Sequence, residues 1–247
     1  MRCTTVITFS RQNRNRASDR GSTGLNGSGF TLVELMVAML LFSIVITTIF
    51  SSYSAVFTSA ETVEKAADRY EMAGICLQRM WLDLQSIQLS LPPQYKKPEF
   101  NDPPDPYRVV GTASDADNSE FPRLEFASLA HVPGKGTDYG GIARIVYYVR
   151  RGEKEGTYSI RRSDVLSPSE PFEASASDPV LCEEVKSLKI TYVDDEGTAH
   201  ESWNSESEEF NYASPTAIEI LLGVAHNQDA VFFSTAVKLP VRREALE

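Results

Sequence analysis

From Phe30 to Phe50 the chain reads FTLVELMVAMLLFSIVITTIF, 21 residues in which Glu34 is the one formal charge. An α-helix needs about 20 predominantly apolar residues to cross a bilayer core, so this run predicts a membrane-spanning helix. Beyond it the apolar positions narrow to a stripe: Tyr53, Val56, Ala60, Val63, Ala67 and Tyr70, then Gly74, Leu77, Met80, Leu84, Ile87 and Leu91. Steps of three and four describe one face of a helix. Pro92-Pro93 then predicts the stop, because proline lacks the amide and disfavours helix in the residue before it. The pattern predicts one helix from about 31 to 91, roughly 90 Å long at 1.5 Å per residue. Its first half is apolar all round and its second half amphipathic, as expected of an anchor that continues under a sheet.

After the prolines the period changes. Residues 92–122 hold seven prolines among acidic and small residues and predict an irregular surface loop. Short alternating segments rich in β-branched and aromatic residues follow. Arg123–Ser128 is one. Ala143–Arg151 and Thr157–Arg162 predict a hairpin across Gly152–Gly156. Val185–Val193 and Thr198–Trp203 predict a second across Asp194–Gly197. Ala217–Val224 and Val231–Leu239 predict a third across His226–Asp229. Consecutive hairpins imply antiparallel sheet, and with the long helix the expected class is α+β.

Charge sharpens this picture. The formal charge is −10, with ordinary apolar (42%) and charged (23%) fractions. Residues 1–29 carry five arginines against Asp19 alone, which leaves 19 basic and 33 acidic residues for the remainder. An acidic body of that kind repels nucleic acid, so no nucleic-acid partner is expected. Basic residues on one side of an apolar run mark the cytoplasmic flank. The expectation is an inner-membrane, single-pass chain with its N-terminus cytoplasmic and its C-terminal domain periplasmic. A secretory signal cleaved after Thr58-Ser59-Ala60 is disfavoured, because the apolar run exceeds a signal's 7–15 residues and the helical stripe continues through the cut.

Glu34 stands out. A carboxylate inside a membrane helix is costly unless paired, and marks a functional site by default. Snorkelling to the headgroups is the bland account. A cation at the same depth in a neighbouring chain is the sharper one, and an α-amine freed at Phe30 by cleavage after Gly29 supplies it.

Gly29-Phe30-Thr31-Leu32-Val33-Glu34 resembles the type IV prepilin signature. The resemblance implies cleavage after Gly29 by a prepilin peptidase, N-methylation of Phe30, and pairing of Glu34 with the amine of an adjacent subunit. The implied division is a cleaved basic leader (1–29), a transmembrane helical half (30–56), an exported amphipathic half (57–91) and a β-rich globular domain (92–247). Here Ser28, not Lys or Arg, precedes the glycine. Gly21, Gly24, Gly27 and Gly29 do not form a phosphate loop, since no strand precedes them and no Gly-Lys-Ser/Thr follows.

The order of the later segments is more specific. Leu124-Glu125-Phe126, a hairpin returning through Ser159-Ile160-Arg161-Arg162, Val185-x-x-Leu188-x-Ile190-x-Tyr192 leading to Trp203, and Pro215–Ile220 resemble the J-type minor pseudopilin of type II secretion over most of residues 29–240. This implies I- and K-type minor pseudopilins and the major pseudopilin as partners, and a role in starting a short pseudopilus for protein export. Gln78–Leu84 and the acidic Ser202–Ser207 depart from the pattern. A minor pilin of a type IV pilus or competence system is the alternative reading. A membrane-anchored exported enzyme or receptor is a second, from another class.

Candidate chemistry is sparse, and neither an enzyme nor a cofactor is expected. His131, His200 and His226 lack a second histidine at ligand spacing, and Cys76 and Cys182 lack CxxC partners, so no metal site is expected. Asp115, Asp117, Asn118 and Glu120, or Asp194, Asp195 and Glu196, do not fit an EF-hand loop. Glu206, Glu208 and Glu209 read as a solvated loop face. With Cys3 in the leader, Cys76 and Cys182 are the two mature cysteines, either a possible disulfide or two buried thiols packing as small hydrophobes.

Overall fold

An apolar segment in lipid must satisfy its backbone within itself, and in the computed structural model of the chain α1 runs from Leu32 to Gln85. The structure describes residues 29–114, 120–133, 140–152, 156–166, 172–226 and 229–246. Residues 1–28 of the expected leader, Asp115, Asp117 and Asn118 of the first acidic run, and the centres of two expected hairpin turns (153–155 and 227–228) lie outside the described residues.

The chain divides between Phe57 and Thr58 into two units. In the first, every residue of α1 from Leu32 to Phe57 is exposed. In the second, α1 buries Ala73, Cys76, Leu77, Met80, Asp83 and Leu84. The buried face is shorter than the predicted stripe. Val63 and Tyr70 are exposed, and burial begins at Ala73 rather than Gly74.

The helix also stops six residues before the predicted end. β1 (Ile87–Gln88) pairs antiparallel with the end of β3 (Arg123–Ser128), after a loop containing β2 (Val110–Thr112). Ser128 Oγ donates to the carbonyl oxygens of Asp83 (2.8 Å) and Ser86 (3.2 Å), and the Leu129 amide donates to Ser86 O (2.9 Å). The Asp83 carbonyl also accepts from the Ser86 amide (3.2 Å), while the Ser86 carbonyl is taken up by the sheet, so termination is a tertiary event and Pro92 is not its cause.

β4 (Ala143–Arg151), β5 (Tyr158–Val165), β6 (Val180–Cys182), β7 (Val185–Val193), β8 (Ala199–His200), β9 (Trp203–Asn204), β10 (Ala217–His226) and β11 (Asp229–Lys238) follow. They form two antiparallel sheets. One runs β6-β5-β4-β3-β2-β9, with β1 beside β3; the other runs β11-β10-β7-β8. The expected second hairpin holds for its first strand and its turn, but its return strand is cut short. β8 pairs with β7 at Tyr192↔His200 and Val193↔Ala199, whereas Trp203 crosses to the other sheet and pairs with Gly111. Tyr192 lies across Gly111, where a Cβ would fall 1.9 Å from its hydroxyl oxygen, so only glycine fits that β2 position.

A single core joins the helix face to both sheets: Met80 and Leu84 with Leu124, Phe126, Ile145 and Tyr147 from the first, and Ile190, Tyr192, Ile218 and Leu222 from the second. Each such aliphatic or aromatic side chain contributes about 1.5–3 kcal/mol on burial. The α+β class is as expected from the sequence.

The loops are less irregular than predicted. Arg243 is buried and ties two of them together, the one between β1 and β2 and the one between β9 and β10. It donates to Tyr212 O (2.7 Å) and Ser90 O (3.0 Å), pairs with Asp105 (3.2 Å), and covers the Tyr95 ring at 3.5 Å. Ser205 is buried and accepts from the Val109 amide (2.9 Å). Glu206 accepts from the Asp105 amide (2.9 Å), and burial raises its pKa. That departs from the solvated face expected of it; Glu208 and Glu209 are exposed.

Candidate functional site

The start of α1 is built by Thr31. Its hydroxyl accepts from the Glu34 amide (3.3 Å), and its carbonyl accepts the first helical bond, from Leu35 N (3.2 Å). Thr-x-x-Glu is the sequence of a capping box. Glu34 therefore sits in the first turn, where a carboxylate opposes the positive end of the helix dipole. Gly29 and Phe30 precede the cap. Both are exposed, Phe30 at 81%, and no atom lies within 4 Å of a Cβ built on Gly29. The Gly29–Phe30 bond thus lies just outside the helix, in backbone open to a protease. Glu34 has no cationic partner among the described residues.

Beyond Glu34 the surface is aliphatic and aromatic on every side, with Leu35, Met39, Phe42, Ile46 and Phe50 all exposed. The few polar side chains turn back on the helix. Ser43 donates to Met39 O (2.8 Å), Thr47 to Ser43 O (2.7 Å) and Thr48 to Val45 O (2.8 Å). A hydroxyl bonded this way needs nothing from solvent, which suits lipid or the side of another helix. The length and composition of α1 are those of a membrane-crossing helix; the chain carries a single-pass anchor.

A second polar constellation holds α1 to the first sheet. Asp83 is fully buried. It pairs with Arg79 (2.7 Å) and Arg162 (2.6 Å) and accepts from the Tyr147 hydroxyl. Arg162 continues to Asp164, which also takes His131 Nδ1 (2.6 Å) and the Val132 amide (2.9 Å). Burial pushes the Tyr147 hydroxyl well above its ordinary pKa, and the Asp83 charge adds to this. Burial also works against charge on Asp164. The hydrogen bonds from His131, Val132 and Arg162 outweigh it and hold the carboxyl below its usual range. Sequence reading missed this network. Its one visible signal was an aspartate beside the apolar stripe, between Met80 and Leu84.

The structure keeps the three histidines apart. His131 serves Asp164. His200 Nε2 meets Asp194 Oδ2 (2.9 Å) and packs against Trp203 and Phe210, and His226 ends β10. Asp194 also accepts from the Thr198 amide (2.7 Å), so the second acidic run is engaged in turn and strand bonding. The His200 hydrogen bond lowers the Asp194 pKa. Glu120 accepts from the Tyr158 hydroxyl. Among the described residues no three His, Cys, Asp or Glu side chains gather as metal ligands. Cys76 and Cys182, expected either paired or packed, are both buried free thiols.

Comparison with known families agrees with both ends of this description. Residues 26–50 match the prokaryotic N-terminal methylation motif, and residues 51–231 match the type II secretion system protein J model. No curated protein matches the chain. The second match spans well over half of the sequence and takes in the buried half of α1 with all but the last part of the sheets. The chain therefore belongs to the type II secretion system protein J family, a family of minor pseudopilins.

Proposed function

We propose that the chain is cut after Gly29 by a prepilin peptidase, N-methylated at Phe30, and assembled with I- and K-type minor pseudopilins to start a pseudopilus. Its leader (1–29) stays cytoplasmic, residues 30–56 cross the inner membrane, and the domain from 57 onward is periplasmic, with five arginines on the cytoplasmic side. Its work is assembly, with no turnover of its own.

The observation that carries this reading is the joint placement at the head of α1. An exposed Gly29–Phe30 bond precedes the Thr31 cap, and a carboxylate with no cationic partner among the described residues lies in the first turn of a predominantly apolar helical run. Cleavage converts a neutral amide at Phe30 into a cation. A neighbouring chain at the same depth then meets Glu34 with that cation, and in low dielectric the attraction is strong and little screened. Growth of the assembly by one subunit satisfies one carboxylate.

The mature N-terminus tests this reading directly. Intact mass and terminal-peptide mapping of chain from cells with the peptidase give N-methylated Phe30, and from cells without it the uncut leader. A start near residue 61, or the same terminus in both strains, overturns it.

A further inference from the structure

Along the second unit, α1 and the segment that follows β6 run side by side in step. Arg69 Nε pairs with Glu184 (3.0 Å), and one turn on the Glu183 amide donates to Met72 Sδ (3.2 Å). One further turn along the same two segments faces Cys76 towards Cys182, the last residue of β6, and both belong to the same buried core. Helix positions 69, 72 and 76 thus meet 184, 183 and 182 in antiparallel order. Both sulfurs lie in the core, at 0% exposure for each residue.

We propose that Cys76 and Cys182 close as a disulfide that staples α1 to the edge strand of the seven-stranded sheet. The assignment rests on the outward orientation of the domain, since disulfides persist in oxidising compartments.

The fold gives the staple a purpose. β6 has three residues and meets β5 at only Ile160↔Cys182 and Arg161↔Val180, with an irregularity between them. Yet it covers the edge of β5, an eight-residue strand that would otherwise offer its unpaired amides and carbonyls to another chain. A cross-link at the end of β6 holds that cover in place by a bond rather than by two ladder positions. Its closed loop, from 76 to 182, takes in β1 to β5 as well.

The chemistry needs a disulfide oxidant, and an exported thiol–disulfide oxidoreductase in its oxidised form is the class that supplies it. Cys182, at the end of the three-residue edge strand, comes free when β6 lifts and is the first nucleophile, as its thiolate. It loses its proton and attacks one oxidant sulfur, breaking the oxidant's S–S bond and releasing one thiolate. Cys76 then attacks the Cys182 sulfur of the mixed disulfide, losing its own proton and expelling the second thiolate. Two protons and two electrons pass from the protein to the oxidant. Access comes when β6 lifts from β5 or before it docks, at a cost of few hydrogen bonds.

The test uses the full chain with Cys3→Ser, so that any leader thiol is silent, reduced and then equilibrated with a glutathione redox couple. Two results are expected. A non-reducing digest joins the Cys76 and Cys182 peptides, and added reductant lowers the melting temperature by about 10 °C, as a cross-link closing some hundred residues should. A Cys76→Ala, Cys182→Ala double variant melts at one temperature with or without reductant. Free thiols, glutathione adducts on either cysteine, or a melting temperature indifferent to reductant overturn the staple. Orientation is read separately from a reporter enzyme fused at the C-terminus, so a failure of that reading is distinguishable from a failure of this one.

Discussion

The two stretches of α1 are one continuous helix folded for opposite surroundings, and the difference is clearest in two carboxylates. Asp83 has no contact with solvent and is given everything a buried charge requires: two guanidinium groups and a phenol, all from its own chain. Glu34 is set in a run without another charge before Glu61, and its cap satisfies only its backbone amide. The polar side chains follow the same division. Ser43, Thr47 and Thr48 spend their hydroxyls on their own helix, whereas Arg79 reaches the carbonyl of Ala130 after β3. A fold completes the second stretch, whereas on the proposed function a neighbour completes the first.

That contrast is broken most severely at Asp83. Asp83→Ala leaves Arg162, at 3% side-chain exposure, with Asp164 as its one remaining carboxylate, and strips Arg79 and Tyr147 of their buried partner. Removing one member of a buried pair costs about 3–5 kcal/mol. We expect a drop of that size in denaturant unfolding of the second unit, or loss of the folded protein altogether. A change under about 1 kcal/mol would mean that the network is incidental.

Acid probes the same network more gently. The folded-state pKa of Asp164 lies below its unfolded value, so the unfolded chain binds its proton first as pH falls. The stability this supplies is whole above the unfolded carboxylate pKa, about 4, and is lost as pH drops through the folded value. Asp164→Asn should flatten the loss of stability as pH falls below about 4. An unchanged acid limb in urea melts at stepped pH would remove Asp164 from the account.

Much of this was legible in advance. The apolar run, the α+β class and strands β3, β4 and β7 could be read from period and composition, because each is decided by local pattern. The signature at Gly29–Glu34 was legible for the same reason. What was not legible depended on partners distant in the chain. The helix was extended to Leu91 because nothing local revealed that Ser128 would take the carbonyls of Asp83 and Ser86. β1, β2 and β6 are two or three residues long and exist only as pairings. Thr198–Trp203 read as one strand because its alternation is continuous, while Trp203 leaves for the other sheet to stack on Phe210 at 4.0 Å. The Asp83 network joins helix, β4 and β5 across nearly eighty residues, and no spacing rule spans that gap.

The smallest effect on folding is expected at Glu34, and there the comparison is sharpest. Glu34→Gln keeps the size and the amide bonded to Thr31 and removes only the charge. Because the residue is exposed in its own chain, unfolding of the second unit should change by less than about 0.5 kcal/mol. If the assembly forms as proposed, the same substitution leaves the Phe30 amine of the next subunit without its counter-ion, and breaking a desolvated pair exceeds the 1.4 kcal/mol that equals a factor of ten. Co-isolation with the other pseudopilins should therefore fall at least about tenfold, and Glu34→Asp, which keeps the charge on a shorter arm, should recover part of it. Undiminished co-isolation of the Gln variant would show that the carboxylate only snorkels to the headgroups. A matching loss of fold stability would show that Glu34, like Asp83, has its partner within its own chain.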